Sequence, residues 1–259
     1  MSSNAAASHC DQPHTDERFF LLASMVMVGV IIAGFTRLFL RGITTFAAPW
    51  PVHLHALAFM SWVALFMIQV YLACTGRLHL HRRFGWIGAV LMPLLIVIGA
   101  ATLFRMMRNA AVPPFWTYAY FLAMNMVALI AFTMLTMAAI RLRADTQWHR
   151  RLMFCGMTAL VITPVNRLLP DNVLAQHMSL VSAAVILLFP LAGMAVDWLR
   201  VRRVHPAWIS GLSVLILAGL TTEIAGRTQF AGSMVRFITA GSPGALVDPF
   251  VQHLPPARD

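Results

Sequence analysis

Lysine is absent from this 259-residue chain, and charged side chains of either sign are scarce. Charged residues make up 11% of the chain, whereas hydrophobic residues make up 59%. Because so few polar groups could not cover the surface of a soluble core, the composition excludes a soluble domain. Without lysine there can be no retinal Schiff base. With nine acidic residues in all, the clustered carboxylates of a di-iron bundle are missing as well.

Cysteine motifs and a secretory signal are also missing. The three cysteines form no CxxC pair, which excludes the usual zinc and dithiol motifs. The polar start, residues 1–18, carries Asp11, Asp16 and Glu17 where a signal peptide would have a basic region. We therefore expect this start to be cytoplasmic, and the first apolar helix to act as the insertion signal.

Long apolar runs dominate the rest of the chain, and each crossing of a bilayer needs about 20 residues. The sequence predicts an all-α, polytopic integral membrane helix bundle over residues 19–226, followed by an extracytoplasmic tail over 227–259. A short interfacial helix is expected within that tail, over Phe230–Ile238. The seven predicted transmembrane helices are Phe19–Leu40, Val52–Gly76, Phe84–Arg105, Phe115–Ile140, His149–Leu169, Val173–Leu199 and Pro206–Gly226.

The formal charge of +10 comes entirely from arginine. These arginines sit at the predicted helix ends and form no contiguous basic patch, so we expect contact with membrane lipids and no binding of nucleic acid. More of them lie in the amino-terminal segment and the loops after the second, fourth and sixth helices than on the other side. The positive-inside rule then places the amino terminus in the cytoplasm of a bacterial-type inner membrane.

Two helix starts share the tripeptide His-Arg-Arg, which we call the HRR starts: His81–Arg83 and His149–Arg151. Glycines follow each of them (Gly85 and Gly88 after the first, Gly156 after the second). The similarity suggests an internal repeat of a helix pair. Polar groups are costly in lipid, so repeated basic helix starts are candidate functional positions.

The histidines near helix ends fall on two sides of the membrane. His55 and His177 open helices on the outer side, whereas His81 and His149 open helices on the inner side. From His55 to His79 is 24 residues, or about 36 Å of helix, so the two sides cannot share one metal. His55 is expected to face the bundle, because it shares a helical face with Phe59, Trp62, Phe66 and Gln69.

Paired histidines on neighbouring helices are the usual axial ligands of a b-type haem. The sequence predicts an outer haem between His55 and His177 and an inner haem between His81 and His149. Guanidinium groups can bind the carboxylates of a haem, and the candidate residues for this role are Arg82, Arg150 and Arg167. The protein would then exchange electrons with quinol or with a redox partner protein.

In this arrangement the chain resembles the transmembrane di-haem b cytochromes and the ferric-reductase-like proteins, over about His53 to Leu199. It departs from them because no helix here carries two buried histidines a dozen or more residues apart. The HRR starts are equally similar to those of small bacterial membrane proteins of unknown function, some linked to cytochrome oxidase assembly.

Two other functions are open at this stage. The HRR starts could hold phospholipid headgroups in a non-enzymatic scaffold or assembly factor, since an interfacial histidine beside arginines often reaches the headgroups. A small-solute or ion transporter could use an outer cluster of His55, Arg167, His177 and Glu223. We expect Glu223 to pair with Arg227 one turn later, and Asp197 to pair with Arg200 or Arg202.

Overall fold

The computed structural model describes the backbone of residues 12–42, 46–114, 116–169 and 171–252, and the side chains within these ranges except those of 12–15 and 171–180. Across this part of the chain the protein is all-α, as predicted, and it contains no strand. A 3-10 helix follows the last α-helix at Pro243–Leu246. The α-helices are α1 (Gln12–Leu40), α2 (Trp50–Cys74), α3 (Leu78–Arg108), α4 (Tyr118–Arg141), α5 (Thr146–Leu160), α6 (Ile162–Leu168), α7 (Asp171–Val201), α8 (Pro206–Ala225) and α9 (Gln229–Thr239).

Six helices of the described chain are long and apolar enough to cross a membrane: α1 to α4, α7 and α8. Their outward faces carry large apolar side chains, such as Trp86, Val90 and Val97 on α3, each more than 60% exposed. In water such a surface would cost about 25 cal/mol for each Å² of apolar area. The protein is therefore a polytopic membrane-embedded bundle, and these faces contact lipid.

The fifth predicted crossing, His149–Leu169, is not one continuous helix. It consists of α5 and α6, which meet at Val161, whose N–H bonds to the carbonyl of Thr158 at 3.0 Å. The physical reason is Pro164, which has no N–H and whose ring crowds the carbonyl of Leu160 four residues earlier. Every residue of α5 from Phe154 onward is buried. A helical segment that is apolar all round is usually buried, and this part of α5 lies in the core of the bundle.

Two helical hairpins, α2–α3 and α4–α5, form the most extensive helix–helix contacts of the bundle, and the core helix α5 also packs on α8. The first hairpin turns through Gly76, which has φ +70°, a conformation that glycine adopts without strain. The second turns through Asp145, whose side chain accepts hydrogen bonds from the N–H groups of Gln147 and Trp148 and so caps α5. The HRR starts open the second helix of each hairpin, in agreement with the predicted repeat of a helix pair.

The core beside the HRR starts is aromatic. The ring of Phe20 on α1 stacks on Trp208 of α8 with 5.8 Å between centroids, and Phe154 of α5 stands edge-on to both. Both geometries are favourable for aromatic pairs. Trp208 is fully buried, so the three rings join the first, fifth and eighth helices at this end of the bundle.

The predicted inward face of α2 is confirmed. Phe59, Trp62 and Phe66 are all buried, and Trp62 meets Phe132 of α4 edge-on at 5.1 Å. Gln69, the amide on the same face, contacts α3. His55 is half-buried at the end of this line nearest the start of α2, so its face does point into the bundle.

The tail after α8 folds back on the bundle. Its helix α9, Gln229–Thr239, overlaps the short helix expected over Phe230–Ile238 and packs on α3 and α4. Arg108 at the end of α3 donates to the carbonyls of Ile238 and Ala240 at 2.8 and 3.3 Å. Because these are terminal carbonyls of a helix, a guanidinium there satisfies groups that have no partner within the helix.

Candidate functional site

The two HRR histidines occupy equivalent positions in the two hairpins. His81 is the fourth residue of α3, and His149 is the fourth residue of α5. The sequence predicts that these helices begin at Phe84 and His149, whereas α3 and α5 begin earlier, at Leu78 and Thr146. Each histidine lies one turn inside its helix, where a short interhelical connection holds it against the end of the preceding helix.

Each of these imidazoles bonds to a backbone carbonyl of that preceding helix. The Nδ1 atom of His149 lies 2.8 Å from the carbonyl oxygen of Ala139, and the Nδ1 atom of His81 lies 3.2 Å from that of Gln69. A carbonyl oxygen accepts hydrogen bonds and cannot donate them, so Nδ1 carries the proton in both rings. This tautomer leaves the Nε2 lone pair available, which is the usual arrangement of a metal-binding histidine.

The structure brings His81 and His149 together. Their ring centroids are 6.0 Å apart and their planes are perpendicular, at 89°. Two imidazoles on opposite sides of a metal, each with a metal–nitrogen bond of about 2 Å, have centroids about 6 Å apart. The spacing of this pair matches that requirement.

Buried polar atoms lie on α2 and α4, the helices whose carbonyls bind the two imidazoles. The Oε1 atom of Gln69, the hydroxyl of Thr136 and the indole nitrogen of Trp62 are all buried and have no hydrogen-bond partner among the described residues. Gln69 and Trp62 share one face of α2, seven residues apart, and Thr136 lies one turn before Ala139 on α4. Buried polar groups are normally satisfied, so this interior region has unmet capacity for a polar ligand or water.

The two arginines predicted to bind the inner haem have different surroundings. Arg82 is exposed. Arg150 instead donates to the carboxylate of Asp16 at 2.5 Å and lies over the ring of Phe20. Asp16 also pairs with Arg200, so one carboxylate ties α1 to α5 and α7.

Few side chains near this pair could bind an isolated metal ion. Within the described part of the chain, no group of three or more histidine, cysteine, aspartate or glutamate side chains could hold a metal ion. A protein zinc site takes three or four such ligands. A haem needs two, because the porphyrin supplies the others. Two is the number of histidines that this pair offers.

The outer site is only partly within the described residues. His55 stacks beside Phe59, and Arg167 lies over the ring of Phe35 at 4.2 Å, close enough to His55 for an electrostatic interaction. The side chain of His177 lies outside the described residues, so the pairing of His55 with His177 stays a prediction.

Glu223, the fourth member of the predicted outer cluster, has other neighbours. It accepts a hydrogen bond from the hydroxyl of Tyr120 at 2.5 Å and forms the predicted ion pair with Arg227 at 2.9 Å. Arg167, in contrast, faces α1. The two charged groups that a transporter would use thus engage different helices.

The expected pairing of Asp197 with Arg200 or Arg202 is wrong. Asp197 is buried and pairs with Arg151 of the second HRR start, at 2.7 Å. It also accepts from the backbone N–H of His205. The sequence gives no signal for this contact, because Arg151 and Asp197 lie 46 residues apart and on different helices, α5 and α7.

Comparison of the chain with protein-family models, with curated proteins and with solved structures finds no match.

Proposed function

We propose that the protein binds a b-type haem between His81 and His149 and transfers electrons in a bacterial-type inner membrane. The observation that carries the proposal is the perpendicular pair of imidazoles, 6.0 Å apart, each with Nδ1 held by a backbone carbonyl. A haem bound there would supply one-electron redox chemistry. The HRR end of the bundle would face the cytoplasm, as the distribution of arginines favours.

The chain's own residues would have distinct tasks. The carbonyls of Gln69 and Ala139 hold the Nδ1 atoms of the two imidazoles, and the Nε2 atoms would be the ones to bind the haem. Arg82, exposed beside His81, would bind a haem carboxylate in a bidentate fork. Arg150 contributes indirectly, because its ion pair with Asp16 holds the start of α5 against α1.

The electron partner would be a quinol reaching the site from the membrane or a redox protein at the cytoplasmic surface. Exposed arginines at the same end favour an acidic surface on a protein partner: Arg77, Arg82, Arg83, Arg141, Arg143, Arg202 and Arg203. Charge complementarity of this kind mainly raises the rate of association and depends on ionic strength.

Visible spectra of the purified protein test the haem proposal. Protein from cells supplied with haem should show a Soret band and, after dithionite reduction, a sharpened α-band. His81→Ala and His149→Ala should each lose this spectrum, because each removes one of the two residues that would hold the haem. The matched control is His79→Ala, an exposed histidine two residues before His81, which should keep it.

Size-exclusion chromatography of each variant separates loss of haem from loss of fold. A colourless wild-type protein that elutes as a folded particle would overturn the proposal. An unchanged spectrum in both His81→Ala and His149→Ala would do the same, since it would place any haem elsewhere.

The rival function is a scaffold or assembly factor that binds anionic lipid headgroups. The exposed arginines at the HRR end support it, because each basic group near an anionic membrane surface contributes about 1 kcal/mol. In that case phosphatidylglycerol should co-purify in a salt-sensitive manner, and Arg82→Gln with Arg83→Gln should reduce its retention.

A further inference from the structure

A second region of the bundle has the properties of a binding site, and it lies away from the HRR starts. A cavity of about 230 Å³ opens among α4, α6, α7 and α8. Its walls are mostly apolar, with Ala131, Ile186 and Leu215 among the lining residues. Small-molecule sites are typically apolar clefts with a few well-placed polar groups, and this cavity has two such positions.

The first polar position lies at the end of the cavity near the start of α4 and the end of α8. Glu223 lines the wall there and accepts from Tyr120 through one carboxylate oxygen and from Arg227 through the other. Each carboxylate oxygen has a further lone pair, so the group can accept another hydrogen bond. Because Arg227 balances the charge of Glu223, the position favours a neutral donor over an ionic group.

The second polar position is Asn166 of α6, which is 6% exposed and also lines the cavity. Its carbonyl oxygen accepts from the hydroxyl of Ser182. Its amide nitrogen lies 3.7 Å from the sulfur of Met124, which is a weak acceptor. An amide carries two N–H donors, so this buried nitrogen retains capacity to donate to an oxygen of a ligand.

The shape of the cavity limits what can enter. Its lining runs along α8 from Leu215 to Glu223, about 12 Å of helix, and along α4 from Tyr120 to Ala131, about 16 Å. Pockets for drug-sized ligands usually measure about 300–1,000 Å³, so this smaller cavity suits a slender molecule. Since both polar positions lie toward the same end, the ligand should have one polar head and one apolar chain.

We propose that this cavity binds a neutral, lipid-soluble amphiphile with a hydroxyl head. The hydroxyl donates to Glu223 and accepts from Asn166, and the single apolar chain lies between α4 and α8. A hydroquinone with an alkyl tail and a long-chain aliphatic alcohol share this chemistry. This site lies apart from His81 and His149, and it is tested independently of the haem proposal.

Photolabelling of the protein in nanodiscs tests this site. The probe is a long-chain alcohol with a diazirine near the end of its chain, and labelled peptides are located by mass spectrometry. We expect labelling of α4 and α8. Unlabelled dodecanol and decyl hydroquinone should both compete. The competitor that is effective at the lower concentration identifies the chemical class of the ligand. Competition by the methyl ether of dodecanol as strong as by dodecanol would overturn recognition of the hydroxyl.

Gly219→Leu closes the cavity in a controlled way. Gly219 lines it, and a Cβ atom there would meet nothing within 4 Å, so the new side chain enters empty space. Labelling should fall about tenfold. The matched control is Gly99→Leu on α3, where a Cβ atom also meets nothing within 4 Å, and labelling there should stay unchanged.

Glu223→Gln provides a second, milder variant that keeps the size of the side chain. It replaces a charge-assisted acceptor by a neutral one, so dodecanol should compete about tenfold less well. Unreduced labelling in Gly219→Leu, or equal labelling of α1 to α3, would overturn the proposal. So would unchanged competition by dodecanol in Glu223→Gln.

Discussion

Arg151 and Asp197 form a buried ion pair that joins the second HRR start to the end of α7. The guanidinium and carboxylate are 2.7 Å apart, and the two side chains are 5% and 7% exposed. The carboxylate also accepts from the N–H of His205 ahead of α8, and the guanidinium lies 5.8 Å from the ring centroid of Trp208. One pair thus connects α5, α7 and α8 at the end of the bundle that holds His81 and His149.

Asp197→Asn should destabilise the protein strongly. The variant leaves the Arg151 charge buried without its counter-charge, and removal of one partner of a buried pair costs about 3–5 kcal/mol. Unfolding by a denaturing detergent, followed by circular dichroism, measures the loss. The control is Arg227→Gln, which breaks an exposed i,i+4 pair worth about 0.3–0.5 kcal/mol. Equal losses in the two variants would show that Arg151 is not effectively buried.

Gly193→Ala should also destabilise, through crowding between α7 and α8. A Cβ atom at Gly193 would lie 2.2 Å from a ring carbon of the fully buried Trp208. Overpacking of this kind costs about 1–3 kcal/mol. At Gly29 of α1 a Cβ atom meets nothing within 4 Å, so Gly29→Ala should be neutral or more stable by up to about 1 kcal/mol. Thermal unfolding measures the stability of both variants. A Gly193→Ala protein as stable as Gly29→Ala would contradict the close packing of Gly193 against Trp208.

His205 should make stability depend on pH. Its Nδ1 accepts from the N–H of Ala207 and caps α8, and burial, followed by repulsion from Arg151, lowers the pKa of His205 below 6.5. Because the unfolded chain binds a proton more readily there than the folded protein, stability is greatest above about pH 6.5 and falls as the pH drops toward the lowered pKa. The loss is limited to about the value of one cap, roughly 1 kcal/mol.

His205→Asn should flatten this dependence, because asparagine is a good cap that does not titrate. Detergent unfolding measured at about pH 7 and pH 5.5 gives the comparison. His79→Asn, at an exposed position, should retain the slope of the wild-type protein. A slope in His205→Asn as steep as that of the wild type would assign the pH dependence to another group.

Much of the site could be predicted because its signals are local in the sequence. The HRR starts are visible as tripeptides, and the inward face of α2 follows from the spacing of Phe59, Trp62 and Phe66. The meeting of His81 with His149 was predicted from their place on the same side of the membrane. The distance between the two rings and their perpendicular arrangement were not predicted, because they depend on how the two hairpins pack together.

The amino-acid sequence by itself determined the all-α class, the six long apolar helices and the end of the bundle at which His55, His81 and His149 lie. These follow from hydrophobicity and helical periodicity, which act over one or two turns. Only the tertiary structure decided the partners of the charged groups, for example Asp197 with Arg151 and Tyr120 with Glu223. It also decided the division of the fifth predicted crossing into two helices at Val161. Such contacts join residues far apart in the chain, so they are set by the packing of whole helices, and the nearest arginine in the sequence is not the nearest in space.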